Sequence, residues 1–174
     1  HQAAKTRAIK DGTCRELQSF EDRKNMFTGL FRELEFELPC RAICLGARRG
    51  EEVAALRDRG VDAIGLDIIP FPPHVHQGDL HDLPIWDNSV SLVYSNSVDH
   101  ALFLEKIGRE IERVLVPGGL AVFHLQIGIW SDEVATQLDS ADEFIKCFLN
   151  MTVLSSRSVP EFCGGLSHLL VMRK

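Results

Sequence analysis

The stretch that most constrains the fold is Ala42 to Val53, AICLGARRGEEV. A short apolar run of buried-strand character stops at Gly46, a second glycine stands at Gly50, and a helical pattern begins at once. Strand, glycine loop and helix make the opening unit of a nucleotide-binding α/β sheet, in which free backbone N–H groups and the helix dipole meet a polar ligand. Two glycines four apart suit a plain strand-to-helix turn equally well, so the meaning of the loop rests on the residues downstream of it.

Those residues alternate regularly between strand and helix patterns. An amphipathic helix is predicted from Cys14 to about Leu34, with Leu17, Phe20, Phe27, Leu30, Phe31 and Leu34 on one face. Strands are predicted at Arg41 to Leu45, Asp62 to Leu66, His74 to Gln77, Val90 to Ser95 and Leu120 to Leu125. Between them lie helices at Glu51 to Arg59, closed by Gly60 as a left-handed cap, and at Leu102 to Leu115, stopped by Pro117-Gly118-Gly119. Ser131-Asp132-Glu133 and Ser140 to Glu143 read as helix N-terminal signals, the second opening a helix through Leu149. Thr152 to Ser156 and Ser167 to Met172 form a final hairpin around Pro160 to Gly165. The expected fold is a doubly wound, Rossmann-like α/β sheet, mostly parallel, with one antiparallel C-terminal partner. Residues 1–13 are a polar lead-in, and residues 14–174 are expected to form one domain.

Bulk properties narrow the function class. A net charge of -6 argues against a domain whose main task is gripping nucleic acid through its phosphates. Five cysteines, an odd number without a CxxC pair, fit buried thiols in a reducing compartment, so an intracellular, cytoplasmic location is expected. No apolar run approaches the roughly 20 residues of a membrane helix, and no membrane association is expected. A chain opening on His1 rather than Met is expected to be a fragment or a processed form.

Downstream acids strengthen the loop. Asp67 ends the second strand 21 residues after Gly46, matching the roughly 20-residue offset at which a carboxylate reaches a ribose diol in such folds. Asp79, after the third strand, suits an acceptor from the exocyclic amine of adenine; a cap or turn role fits either aspartate as well. His74-x-His76 with His81 lacks the remaining ligands of a metal site, so no metal is expected. His124, Trp86 and Trp130 read as packing residues before ligand contacts.

The ordered series GDLHDLPIWDNSVSLVYSNSVDHAL (Gly78 to Leu102) and REIERVLVPGGLAVF (Arg109 to Phe123) resembles the class I S-adenosylmethionine-dependent methyltransferases, in their type 11 branch. Asp79, Leu83-Pro84, Asp87, the VSLVYS strand and Arg113 to Gly119 fill the family's places, and the likeness spans about residues 41–125. The C-terminal hairpin suits the family's sixth and seventh strands, giving seven in all. The resemblance implies S-adenosylmethionine as cofactor and S-adenosylhomocysteine as product. It implies that Gly46, Ala47 and Gly50 line the methionine moiety, Asp67 with Ile68 the ribose, Asp79 and the Leu80 backbone the adenine, and Ser95 and Asn96 the transferable methyl. Alignment of acceptor and methyl does most of such an enzyme's work, with His100 and then Asp99 as candidate bases.

The sequence departs from the family at the loop. Cys44 stands where an acidic residue is usual, Arg48 where the middle glycine is usual, and Ser91 where the fourth strand commonly has aspartate. Arg48 either pairs the cofactor's carboxylate or fills its pocket. The alternative function is therefore a methyltransferase-like binding or scaffolding module without catalysis. A nicotinamide-dependent oxidoreductase would need the tighter G-x-G-x-x-G loop. The acceptor is open, and a lid is expected from the N-terminal helix with residues 126–140, or from a protein partner or second copy.

Overall fold

The computed structural model describes residue 7 and residues 19–34, 40–128, 137–162 and 166–174. Residues 1–6 and 8–13 of the polar lead-in, the first residues (14–18) of the predicted N-terminal helix, the signal at Ser131, Trp130 and the hairpin turn at 163–165 lie outside the described residues. The elements in chain order are α1 (Phe20–Arg32), β1 (Arg41–Leu45), α2 (Glu51–Arg57), β2 (Asp62–Asp67), β3 (Val75–Gln77), β4 (Val90–Ser95), a 3-10 turn (Val98–His100), α3 (Leu104–Val114), β5 (Leu115–Leu125), α4 (Ala141–Ile145), β6 (Thr152–Phe162) and β7 (Leu166–Arg173).

Seven strands form one sheet in the order β3-β2-β1-β4-β5-β7-β6. β1 to β5 pair in parallel, while β7 runs antiparallel between β5 and β6. The chain winds from β1 outward to β3, then returns and starts the other half at β4. The C-terminal ends of β1 and β4 are thus the topological switch point, where open α/β sheets leave a crevice for ligand.

Each face of the sheet carries its own core. On one, Phe27 and Phe31 of α1 and Val53 and Leu56 of α2 pack with Ala42, Cys44, Leu92 and Tyr94. On the other, Ile107, Ile111 and Val114 of α3 and Phe144 of α4 pack with Ile43, Leu45, Val93 and Phe123. The apolar three- and four-residue spacing in α1 and α3 therefore marks the faces that are buried. The rings of Phe27 and Phe31 meet Tyr94 edge-on, at 5.9 Å and 4.9 Å between centroids. This embedding makes α1 a wall of the core, with its first turn reaching the residues beside the glycine loop.

Several boundaries move from their sequence positions. α3 begins at Leu104, since Phe103 holds a left-handed backbone with φ 54°. Pro117-Gly118-Gly119 does not stand between helix and strand but inside β5, where the pairing shifts between Val90 and Leu92. Gly118 N–H donates to the Lys174 carbonyl and Lys174 N–H to that of Gly119, so the chain end stitches this irregular start to the sheet. β6 continues through Pro160, which an edge strand tolerates because one row of its N–H groups has no ladder partner. α4 ends at Ile145, and Ser140 gives it no side-chain cap.

Arg113 gives the motif after β3 its physical meaning. Its guanidinium donates to the carbonyls of Leu83 and Ile85 and to Asp87 Oδ1 at 2.7 Å, while binding both carboxylate oxygens of Glu110. One side chain at the end of α3 thereby fixes the loop that leads into β4.

Candidate functional site

The glycine loop is bent by three left-handed residues, Gly46 (φ 69°), Arg48 (φ 44°) and Gly50 (φ 80°). A Cβ on Gly46 would overlap Ser97 Oγ, and one on Gly50 would press on His74 Cβ at 2.8 Å. Both glycines are thus required by the protein's own packing. The N–H groups of Gly46 and Ala47 donate to Leu66 O, that of Gly50 to Ala47 O, and that of Arg48 to Asp67 Oδ2 at 3.0 Å. The expectation of free N–H groups is corrected at these four positions: the loop spends them internally, and it is not a cradle for phosphate.

Asp67 closes β2 with both carboxylate oxygens engaged, Oδ2 by Arg48 N–H and Oδ1 by Ile69 N–H at 2.9 Å. A carboxylate has about four acceptor positions, so each oxygen keeps capacity for a hydroxyl. Ile68 beside it is 56% exposed, an apolar surface at the mouth of the switch point. Asp79 stands on the next strand tip. Its Oδ1 accepts from the backbone N–H of His81 at 2.9 Å and lies 2.7 Å from His81 Nδ1. The His81 backbone bond and then its ring hold the Asp79 carboxyl below its usual range, against an opposing effect of burial. Leu80 is buried in the core beside it.

At the tip of β4 the hydroxyls face inward. Ser95 is fully buried and donates to Leu45 O at 2.9 Å, and Ser97 Oγ donates to the same carbonyl at 3.3 Å. They tie β4 to β1 beneath the loop. Ser95 is thus placed as a structural tie, leaving half-buried Asn96 as the polar side chain at this tip. In the 3-10 turn beyond, Asp99 is only 1% exposed, and among the described residues neither of its carboxylate oxygens has a hydrogen-bond partner. Burial pushes it up to about 7, outweighing the nearby amides of Asp99 and His100. His100 is half-buried, and its backbone N–H donates to Ser97 O at 3.1 Å. Of the two candidate bases, Asp99 is the one whose environment tunes it to neutral pH.

Sequence reasoning missed the acids at the head of α2. Glu51 and Glu52 are almost wholly buried. Glu51 pairs with Arg49 and, at 3.4 Å, with Arg23 of α1, while Arg49 leans on the ring of Phe20. Glu52 is raised to about 8 by burial and then by Glu51, with Arg23 and Arg48 opposing. Buried Cys44 lies close enough for Glu52 to add to the rise of its thiol, which burial places well above the ordinary range. A carboxyl is therefore present near Cys44, supplied from the helix instead of the strand. Consecutive glutamates at a helix start carry no sequence signal of burial, since exposed first-turn acids look identical.

The three histidines of the possible metal set diverge. His74 stacks on Phe20 and meets Arg57, and His81 meets Asp79. Among the described residues no group of three or more His, Cys, Asp or Glu could hold a metal ion. Nor is any described helix long and apolar enough to cross a membrane.

Comparison with known proteins places this geometry. Residues 43–123 match the family model of the methyltransferase domain. Over that stretch the chain is similar to a methyltransferase domain. No curated protein matches the sequence. Solved structures share the fold at low identity. One is a Haloferax volcanii chain from the complex between the Trm112 methyltransferase activator and a methyltransferase, at 19% identity and TM-score 0.73 over 97% of this chain and 96% of that one. Another is the Burkholderia thailandensis 1,6-didemethyltoxoflavin-N1-methyltransferase with bound S-adenosylhomocysteine, at 13% and 0.72 over 99% and 86%. A third is an S-adenosylmethionine-dependent methyltransferase of Mesorhizobium loti, at 15% and 0.63 over 84% and 96%. The matched stretch runs from β1 to β5 and so contains the loop, Asp67, Asp79 and the β4 tip.

Proposed function

We propose that this methyltransferase domain binds S-adenosylmethionine at the C-terminal ends of β1, β2 and β4 and transfers its methyl group to an acceptor that gives up a proton to Asp99. The observation that carries this reading is Asp67: a carboxylate on the β2 tip, bonded to the glycine loop of the neighbouring β1 and still able to accept from a diol. Asp79 on the neighbouring tip supplies the acceptor for an exocyclic amine. The loop's internal use of four N–H groups disfavours a pyrophosphate and suits a nucleoside without phosphate.

When bound, the cofactor supplies an electrophilic sulfonium methyl. The chain's own residues do the rest. Asp67 and Asp79 fix the nucleoside, Arg48 offers a guanidinium from the glycine loop for the amino-acid carboxylate, and Asn96 borders the methyl. Asp99 in its dry turn takes the acceptor's proton, with His100 beside it as the second candidate. A protein partner or second copy completes the acceptor side; the Haloferax chain, similar in fold, was solved with such an activator.

The second reading is a methyltransferase-like binding module without catalysis. Two observations favour it: Arg48 occupies a left-handed position that suits glycine, and Cys44 is buried with a thiol held protonated. The deciding experiment monitors S-adenosylhomocysteine formation from S-adenosylmethionine with amine, hydroxyl and thiol acceptors. Turnover that disappears in Asp99→Asn while cofactor affinity is kept supports the enzyme. Cofactor binding with product formation no faster than the protein-free blank supports the module.

A further inference from the structure

We infer that His81 is a positioning residue: its doubly protonated ring clamps the loop after β3 to the loop after β4, shaping the nucleoside-base end of the site and making nucleoside affinity depend on a proton. The inference rests on the proposed reading that Asp79 lies at that end. Its basis is a two-sided contact. His81 Nδ1 lies 2.7 Å from Asp79 Oδ1, and Nε2 lies 2.6 Å from the carbonyl oxygen of Leu102. Both partners are acceptors, so both contacts are hydrogen bonds at the same time only when both ring nitrogens carry hydrogen. Removing one proton leaves one contact without a donor.

The clamp holds a conformation that the chain would not choose alone. Phe103, next to Leu102, has φ 54° and ψ 54° although it carries a bulky aromatic side chain, and it is 71% exposed. Neither burial nor propensity supports an exposed phenylalanine in the left-handed region, which costs an L-residue on the order of 1 kcal/mol or more. Its ring meets the His81 ring edge-on at 6.2 Å. The bond to Leu102 O and this ring contact hold the segment just before α3 from the side of the loop after β3, beside the backbone bonds from Ala101 to Val98 and from Lys106 to Phe103. Exposed Ile68, Leu102 and Phe103 then stand on the loops around Asp79, an apolar surround suited to the faces of a base.

The charged and titratable groups on the surrounding elements are Asp79 and Asp82 of the same loop, Asp99 and His100 of the 3-10 turn, and Glu105 and Lys106 in the first turn of α3. Lys106 acts on Asp79 in the same sense as His81, so it favours the carboxylate that faces the ring. Asp79 keeps its second oxygen for the base while the first holds His81.

The test is the affinity of the whole chain for S-adenosylhomocysteine at several values from about pH 5.5 to 8.5. Wild type is compared with His81→Gln and Phe103→Gly. Wild type should bind about three- to tenfold more weakly at the alkaline end, the size of one hydrogen bond lost. His81→Gln should lose most of that pH dependence and sit near the alkaline wild-type value. Phe103→Gly, which adopts the left-handed backbone without strain, should bind with a reduced difference between the two pH limits. Parallel pH profiles for wild type and His81→Gln would overturn the clamp alone, provided that Asp67→Ala still weakens binding. Absence of binding by wild type at millimolar ligand would overturn the clamp and the underlying reading together.

Discussion

The backbone N–H of Arg48 donates to Asp67 Oδ2 at 3.0 Å, joining the apex of the glycine loop to the tip of β2. This bond makes the loop conformation and the proposed ribose acceptor one unit. Asp67→Ala removes the acceptor from Arg48 and from Ile69, leaving two half-buried donors unpaired. It should lower unfolding free energy by about 1–3 kcal/mol and weaken nucleoside binding by a similar amount. Denaturant unfolding and titration calorimetry measure both. A variant as stable as wild type and equal in affinity would remove Asp67 from the loop's support and from the site.

Asp99 should oppose stability. Its folded value near 7 lies above the ordinary carboxyl value of 3.8, so the folded protein holds this proton through a window where the unfolded chain has released it. Stability from this group is therefore lost as pH rises from about 4 to 7 and stays absent above. Asp99→Asn removes the buried charge and should raise unfolding free energy at pH 8 by about 1–3 kcal/mol while abolishing methyl transfer. Unfolding curves at pH 5 and pH 8 check the first part. An Asn variant less stable than wild type at pH 8 would show that the carboxylate has partners.

His124 has the opposite sign. It is fully buried 3.2 Å from Tyr94 Oη, and burial, then Arg157, lowers it to about 4 from 6.5. The unfolded chain binds this proton first, so the stability associated with neutral His124 is present above pH 6.5 and is lost as pH falls toward 4. The limit of this effect is about 3 kcal/mol, from roughly 1.36 kcal/mol per pKa unit. Wild type should lose more stability than His124→Gln between pH 7 and 4, measured by urea midpoints; equal losses would contradict a buried neutral imidazole.

Arg113 bears on folding more than on chemistry. Arg113→Ala deprives the carbonyls of Leu83 and Ile85 and the carboxylates of Asp87 and Glu110 of their common donor. Destabilisation of about 2–4 kcal/mol is expected, and Arg113→Lys should recover less than half of it because an ammonium cannot span the fork. Thermal unfolding decides between this and a marginal surface contact.

How legible the molecule is in its sequence differs by level. Short apolar runs and period-3.6 patterns revealed β1, β2, β4 and the buried faces of α1 and α3, because burial selects residues along whole elements. The order Asp79, Leu83-Pro84, Asp87, Arg113 carried the family, and the structure shows why: Arg113 holds that loop together. Tertiary bonds were invisible. Nothing local marks Ser95 as a tie to Leu45 O, Glu52 as buried beside Cys44, or His81 as bridging two loops. Propensity also failed where a distant contact overrides it, as at Gly118, whose left-handed turn inside β5 is held by the Lys174 carbonyl.

The most direct measurement is calorimetric titration of the chain with S-adenosylmethionine and with S-adenosylhomocysteine, alongside Arg48→Gly. The expected result is micromolar binding of both, weakened in Arg48→Gly because the cofactor's carboxylate loses its guanidinium. No heat and no thermal shift at millimolar ligand would contradict a nucleoside site at Gly46, Asp67 and Asp79, and tighter binding by Arg48→Gly would show that Arg48 obstructs it.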